Sequence, residues 1–435
     1  MSQQQASTTF DDFLGIPRSV LEFMLFRLIG LVLVFLLHVV LANMMGAKIY
    51  GDYVIVISWL QLLVVVSTFG MESSAAQFLP VLVSQKKYGE AAGFVRFSFR
   101  LITIVSVICS IGVFLFLLFY GLKKTVSFKE GLFWSVFLLP VLALVHQSSA
   151  VLRAFQRIKA SVLPLQVTWP VLMVITAGWY YLENNKLPID AIMLLQLVCT
   201  LIVGWLVQRK KNRRLDIEIA TAEPVYEWKS WLSSGSFNLL LSLAEFLLKH
   251  ADVITVGYVI SHIQSGRYYA ATAIASIVAF GLTVTDQAYM PGLRSAFLSG
   301  KRKVLQEKLR SATRQVFMIT LPVVLVFMLA GRWLLSAFGS SFEQAYIPLL
   351  ILLSGQLFHA AIGMSGGLLS VAGHRHRYLI YATVSVIVQL IALFLVLPSF
   401  GLVGAALTVT LSRILLNLLC FIFLKKRYSV SASLL

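Results

Sequence analysis

The stretch at residues 18–53, RSVLEFMLFRLIGLVLVFLLHVVLANMMGAKIYGDY, decides the fold class. A polar approach leads into an apolar run, which ends in a glycine-punctuated corner, GAKIYGDY, and the next apolar run follows at once. A bilayer crossing needs about 20 such residues. Arg27 and His38 interrupt the run eleven residues apart, which at about 100° per residue puts them within roughly 20° of one another on one face. Charge at that depth belongs against protein or water, not lipid.

The rest of the chain has the same character. Of 435 residues 59% are hydrophobic and 12% charged, against about 25% charged in soluble domains. A polytopic membrane protein follows. The polar start MSQQQASTTFDDFLGIP lacks the basic segment of a cleaved signal, so the first helix is expected to be retained. Twelve spans are expected, at roughly 22–45, 52–75, 97–121, 131–152, 161–182, 190–208, 237–260, 267–290, 314–336, 344–369, 378–397 and 401–424. Cys109, Cys199 and Cys420 lie in apolar runs and read as small buried hydrophobes.

The net charge of +18 has a topological explanation. With the N-terminus inside, 26 of the 36 Lys and Arg residues fall in cytoplasmic segments, seven in outer loops and three within spans. That bias orients both termini to the cytoplasm and removes the need for a nucleic-acid partner. The longest connection divides the chain into an N-terminal lobe at 1–208, a basic and amphipathic linker at 209–236 and a C-terminal lobe at 237–435. Trp228 and Trp231 in that linker suit a helix at the membrane interface.

The two halves repeat. GAKIYGDYVIVIS at 46–58 aligns with SHIQSGRYYAATAIAS at 261–276, matching Gly51 to Gly266 and Tyr53 to Tyr268. LRAFQRIKAS at 152–161 aligns with LSVAGHRHRY at 369–378 at nearly the same offset. Six spans per half give both halves one orientation, with a pseudo-two-fold along the membrane normal and a path between them.

The intramembrane charges are the candidate functional groups. In SLAEFLLKHADVITVGY at 242–258, Glu245, Lys249 and Asp252 share one helix face. Glu245 and Lys249 have the order that favours an i, i+4 ion pair; the alternative puts Lys249 or Asp252 on a cavity wall. The repeat offset maps Asp252 next to His38 and Glu72 within one residue of Asp286. These acids are candidates for binding a coupling cation or bracing basic residues. Arg27 has Glu22 or Glu72 as an alternative partner. His146 and His359 read as packing residues. The HRHR run at 374–377 has no acid or cysteine near it and is not a metal site. No phosphate-cradling loop, H-E-x-x-H or nucleophile elbow occurs, so neither an enzyme nor a cofactor is expected.

MGAKIYGDYVIVIS, FGMESSAAQFLPVL and LRAFQRIKA stand in an order and spacing that resemble the Wzx-type oligosaccharide flippases of the multidrug/oligosaccharidyl-lipid/polysaccharide (MOP) exporter superfamily. The resemblance implies an all-α, MATE-like V of two six-helix lobes working by alternating access. It implies an undecaprenyl-diphosphate-linked oligosaccharide moved from the inner to the outer leaflet of a bacterial cytoplasmic membrane, for O-antigen of lipopolysaccharide or for exopolysaccharide. Partners would be the lipid-linked sugar, membrane lipids, a coupling H+ or Na+, and a polymerase or glycosyltransferases. Arg27, His38, Lys249 and Arg413 would then be contacts for the diphosphate or cavity, since arginine grips such groups bidentately. The competing expectation is an ion-coupled multidrug or metabolite antiporter of the same superfamily.

Overall fold

In an unbroken helix His38 and Tyr50 would stand about 18 Å apart along the axis, yet His38 Nδ1 and Tyr50 Oη are 3.2 Å apart. The chain doubles back between them, and Gly46, at φ 73° and ψ 162°, is where the helical backbone breaks. The structure is a computed structural model describing residues 18–120, 126–214, 219, 221–300 and 302–428, with only the backbone of 18–24, 120, 212–214, 284–288 and 291 described.

The first hairpin is α1 (Arg18–Thr68), continued by α2 (Met71–Ser84). Then come α3 (Tyr88–Tyr120), α4 (Val126–Ala154), α5 (Ile158–Leu163), a π turn at Pro164–Thr168, α6 (Trp169–Asn184) and α7 (Ile189–Arg214). The second half holds α8 (Trp228–Val259), α9 (His262–Leu298), α10 (Arg302–Ser336), a 3-10 turn at Ser340–Ala345, α11 (Tyr346–Ile362), α12 (Ser365–Val371) and α13 (Arg375–Tyr428). Like α1, α13 is a hairpin. It breaks at Gly401, and His374 at its start bonds Tyr428 at its end, at 2.8 Å.

Among the described residues, eight stretches are long and apolar enough to cross a membrane. The stretches at Leu25–Ser84 and Arg375–Tyr428 are the two hairpins and cross twice each. The crossings that hydropathy omits are α8 and α9, which carry Glu245, Lys249, Asp252, Arg267 and Arg294. Counting these gives the expected twelve. The protein is a helical membrane protein.

The repeat is visible in the backbone. Gln156 and Gly373, 217 residues apart, both adopt left-handed φ, at 55° and 81°. Their neighbours make the same bonds: Gln156 N–H to Arg153 O and Arg157 N–H to Leu152 O, against Gly373 N–H to Ser370 O and His374 N–H to Leu369 O. Lys86 and Gly300 form a further such pair of left-handed corners.

The linker departs from expectation. Helix α8 starts at Trp228, earlier than the 237 read from the sequence. Trp231 is a core residue, 1% exposed, with its ring 5.5 Å from Phe94 and 5.6 Å from Phe97. Only Trp228 stays exposed. The aromatic pair therefore does not form a separate interfacial helix; one member locks α8 against α3.

Candidate functional site

The two halves meet first through glycine. Gly51 lies so close to α9 that a Cβ there would stand 2.1 Å from the His262 carbonyl oxygen. Its repeat mate Gly266 would bring a Cβ within 3.0 Å of Gly51 Cα. Residues equivalent under the repeat thus touch one another, as a local two-fold axis requires. Beside them the Asp52 carboxylate and the His262 imidazole form a short contact across the seam. At the other end of the seam Gly70, at φ 67°, lets α2 approach α8, where a Cβ would meet the Gly235 carbonyl oxygen at 2.4 Å. Asn238 of α8 donates to Ser74 Oγ at 2.9 Å and accepts from Arg375 at 3.2 Å.

Between these contacts the interior is polar. His38 is buried and bonds Tyr50 through Nδ1 at 3.2 Å and Tyr269 through Nε2 at 3.1 Å. A neutral imidazole serves both, donating from one nitrogen and accepting at the other. The repeat-related tyrosines have parallel roles: Tyr53 Oη donates to Gln196 at 3.3 Å, and Tyr268 Oη donates to Asp252 Oδ2 at 2.8 Å. Val253 N–H donates to Asp252 Oδ1 at 2.9 Å, so this carboxylate, 1% exposed, has protein donors on both oxygens.

Two adjoining cavities, of about 220 and 380 Å³, share Lys249, Gln356 and Arg413 as lining. The smaller reaches His38, Tyr269 and Asp252. The larger reaches Glu245 and Tyr378. Glu245 and Lys249 do not form the expected ion pair: among the described residues no carboxylate lies within 4.0 Å of Lys249 or of Arg413. The side chains diverge because Lys249 extends to the junction of the cavities while Glu245 faces Tyr378.

The first half holds a separate cluster. Glu72 faces His146 at 3.5 Å and Arg153 at 3.6 Å. It is therefore not the partner of Arg27, and His146 does more than pack. Arg27 lies 5.9 Å from the ring centre of Phe280 on α9, in the second half. The side chain of Asp286 lies outside the described residues, as does that of Glu22. The sequence reading passed over Asp52, His262, Tyr50 and Tyr269. A signal was present: Asp52 and the Tyr268–Tyr269 doublet sit inside the two repeated corners.

No protein-family model matches the chain, and no curated protein does. Solved structures do. One is a multidrug resistance MATE family transporter of the MOP superfamily in its inward-facing conformation, which superposes with a TM-score of 0.75 at 15% identity over 94% of each chain. The fold is MATE-like. An outward-facing transporter of the MATE family agrees less well, with a TM-score of 0.65 at 14% identity, covering 94% of this chain and 95% of that one. The lipid II flippase MurJ in an inward closed conformation gives 0.71 at 15% identity, covering 93% of this chain and 87% of that one. The MATE-like fold thus has both drug transporters and a lipid flippase among its examples.

Proposed function

We propose that the protein is an alternating-access flippase for an undecaprenyl-diphosphate-linked oligosaccharide. It moves the lipid from the inner to the outer leaflet of a bacterial cytoplasmic membrane, with both termini cytoplasmic, in the synthesis of a surface polysaccharide such as O-antigen. The observation that carries this reading is the pair of cavity cations, Lys249 and Arg413, with no carboxylate at ion-pair distance. A lone charge at membrane depth costs about 2.5–3.5 kcal/mol on insertion scales. A diphosphate offsets that cost, and it offers oxygens that Arg413 grips in bidentate fashion. Arg27 stands 5.9 Å from the centre of the Phe280 ring of the second half. Glu72, Asp252 and Asp286 remain the candidates for an H+ or Na+ that drives the cycle, and glycosyltransferases or a polymerase would supply and consume the substrate.

A second reading, an ion-coupled multidrug or metabolite antiporter, is favoured by one observation: Asp252 stands on the wall of the cavity with Tyr268 fixing its orientation. Extraction of lipids from cells depleted of the protein separates the two. Accumulation of a complete undecaprenyl-linked unit, with loss of surface polysaccharide and rescue by the wild type but not by Lys249→Gln/Arg413→Gln, is the expected result. Unchanged carrier lipids together with raised drug sensitivity would replace the flippase by the antiporter.

A further inference from the structure

We propose that the larger cavity, inside the C-terminal half, is a saccharide subsite, separate from the Lys249–Arg413 anion seat through which it joins the smaller one. The inference rests on the flippase reading and adds where each part of the substrate sits.

The two cavities differ beyond the lining they share. Past Lys249 and Arg413 the smaller runs to α1, where Leu31, Val34 and Phe35 line it. The larger runs between α8, α9, α11, α12 and α13, past Glu245, Thr283, His359, Tyr378 and Asn417. The order through the protein is therefore a mostly apolar face of α1, two cations, polar chamber. A lipid-linked sugar has that same order: prenyl chain, diphosphate, hydroxyl-bearing ring.

The polar chamber has the chemistry of a sugar site. Carboxylate, amide, imidazole, phenol and hydroxyl groups offer donors and acceptors on several sides, as ring hydroxyls need. Among the described residues the side chains of Gln356, His359 and Asn417 hydrogen bond no protein group, although Gln356 is only 5% exposed. These three groups open onto the chamber, where water or a bound hydroxyl can satisfy them. The chamber is also shaped by backbone. Gly366 lets Tyr378 lie against α12, since a Cβ there would stand 3.1 Å from Tyr378 Cε2. Its volume of about 380 Å³ falls within the roughly 300–1,000 Å³ of small-molecule sites, enough for the sugar next to the diphosphate and not for a long glycan.

The test uses the full chain in cells that make the polysaccharide, so that the native sugar is the probe. Tyr378→p-benzoylphenylalanine and Asn417→p-benzoylphenylalanine place a photo-crosslinker in the chamber, Phe35→p-benzoylphenylalanine places one on the α1 face, and Ile175→p-benzoylphenylalanine, on an exposed position of α6, gives the background. After irradiation the protein is purified and treated with mild acid, which breaks the glycosyl–phosphate bond. The expected result is saccharide retained on the chain at Tyr378 or Asn417 at least tenfold above Ile175, and prenyl retained without saccharide at Phe35. Saccharide at Phe35 and none at either chamber position would overturn the subsite and leave the flippase reading standing. Neither prenyl nor saccharide above background at any position would remove the flippase reading and the subsite with it. Melting temperatures within a few degrees of wild type identify the variants that fold, and the two chamber positions stand in for one another.

Discussion

Asp52 on the first hairpin and His262 at the start of α9, 210 residues apart, join the two halves across their seam. Asp52 is 3% and His262 22% exposed, and the Phe128 ring packs 5.4 Å from the imidazole. Removing one partner of a largely buried hydrogen bond leaves the other unsatisfied. Asp52→Asn and His262→Gln are each expected to lower stability by about 1–3 kcal/mol, read as a fall in melting temperature in detergent. The double variant should lose much less than the two losses added, because the second change removes a group already stranded. Additive losses would mean that the pair contributes little to the seam.

Gly51 sets the width of that seam. Gly51→Ala drives a methyl group into the His262 carbonyl oxygen, and overpacking of this kind costs about 1–3 kcal/mol. The halves relieve it by parting. Spin labels on the exposed Lys48 and Tyr258, on opposite sides of the seam, should report a longer distance in the variant. Gly178→Ala is the contrast, since nothing lies within 4 Å of a Cβ there. Alanine is the better helix former by up to about 1 kcal/mol, so that change should leave the distance unaltered and stability equal or higher. Unchanged distances in both variants would show that the seam tolerates the methyl group.

The corners of this fold were legible in the sequence and the pairings were not, for physical reasons. Corners are local. Gly51 and Gly266 share a residue type because only glycine lets the two backbones come this close, Gln156 and Gly373 share a left-handed turn, and repetition doubles the signal. The twelve crossings were legible too, including α8 and α9, whose charges depress their hydropathy. Ion pairs depend on which rotamer reaches which helix. Glu245 and Lys249 are ideally spaced on one helix, yet a cavity beside Lys249 draws it away. Glu72 finds Arg153 and His146, and no local pattern separates that outcome from a pair with Arg27. Trp231 misled for a related reason: an amphipathic stretch reads alike whether its apolar face meets lipid headgroups or, as here, Phe94 and Phe97.

Trp231 and the segment before it make a further prediction. Val225 N–H donates to Gly89 O at 3.0 Å, and a Cβ on Gly93 would stand 2.0 Å from the Val225 carbonyl oxygen. The backbone preceding α8 thus lies in a glycine notch of α3. Trp231→Ala should cost about 3–5 kcal/mol, as for other buried large aromatics. Gly93→Ala should lift the segment off, and hydrogen exchange at the Val225 amide should rise by at least tenfold. An amide as protected as in the wild type would show that the notch does not hold the segment.

Lys249 and Arg413 permit a prediction in which stability and activity move in opposite directions. A residue retained for structure loses both when it is replaced. These two cations face a cavity with no carboxylate within 4.0 Å of either among the described residues, Asp252 lying farther off on the same wall, so neutralising either removes a cost of burial and breaks no direct salt bridge. Lys249→Gln and Arg413→Gln should melt at or above the wild-type temperature. Their affinity for a sugar-free probe, geranylgeranyl diphosphate, should fall, since a hydrogen bond to a charged group contributes about 1.5–3 kcal/mol, or roughly 10- to 100-fold. Arg413→Lys keeps the charge and loses the fork, so it should recover part of the affinity and not all of it. Full recovery by lysine would mean that Arg413 acts as a point charge. A parallel loss of melting temperature and affinity would mean that both residues brace the helices, with Asp252 as the partner that Arg413 serves.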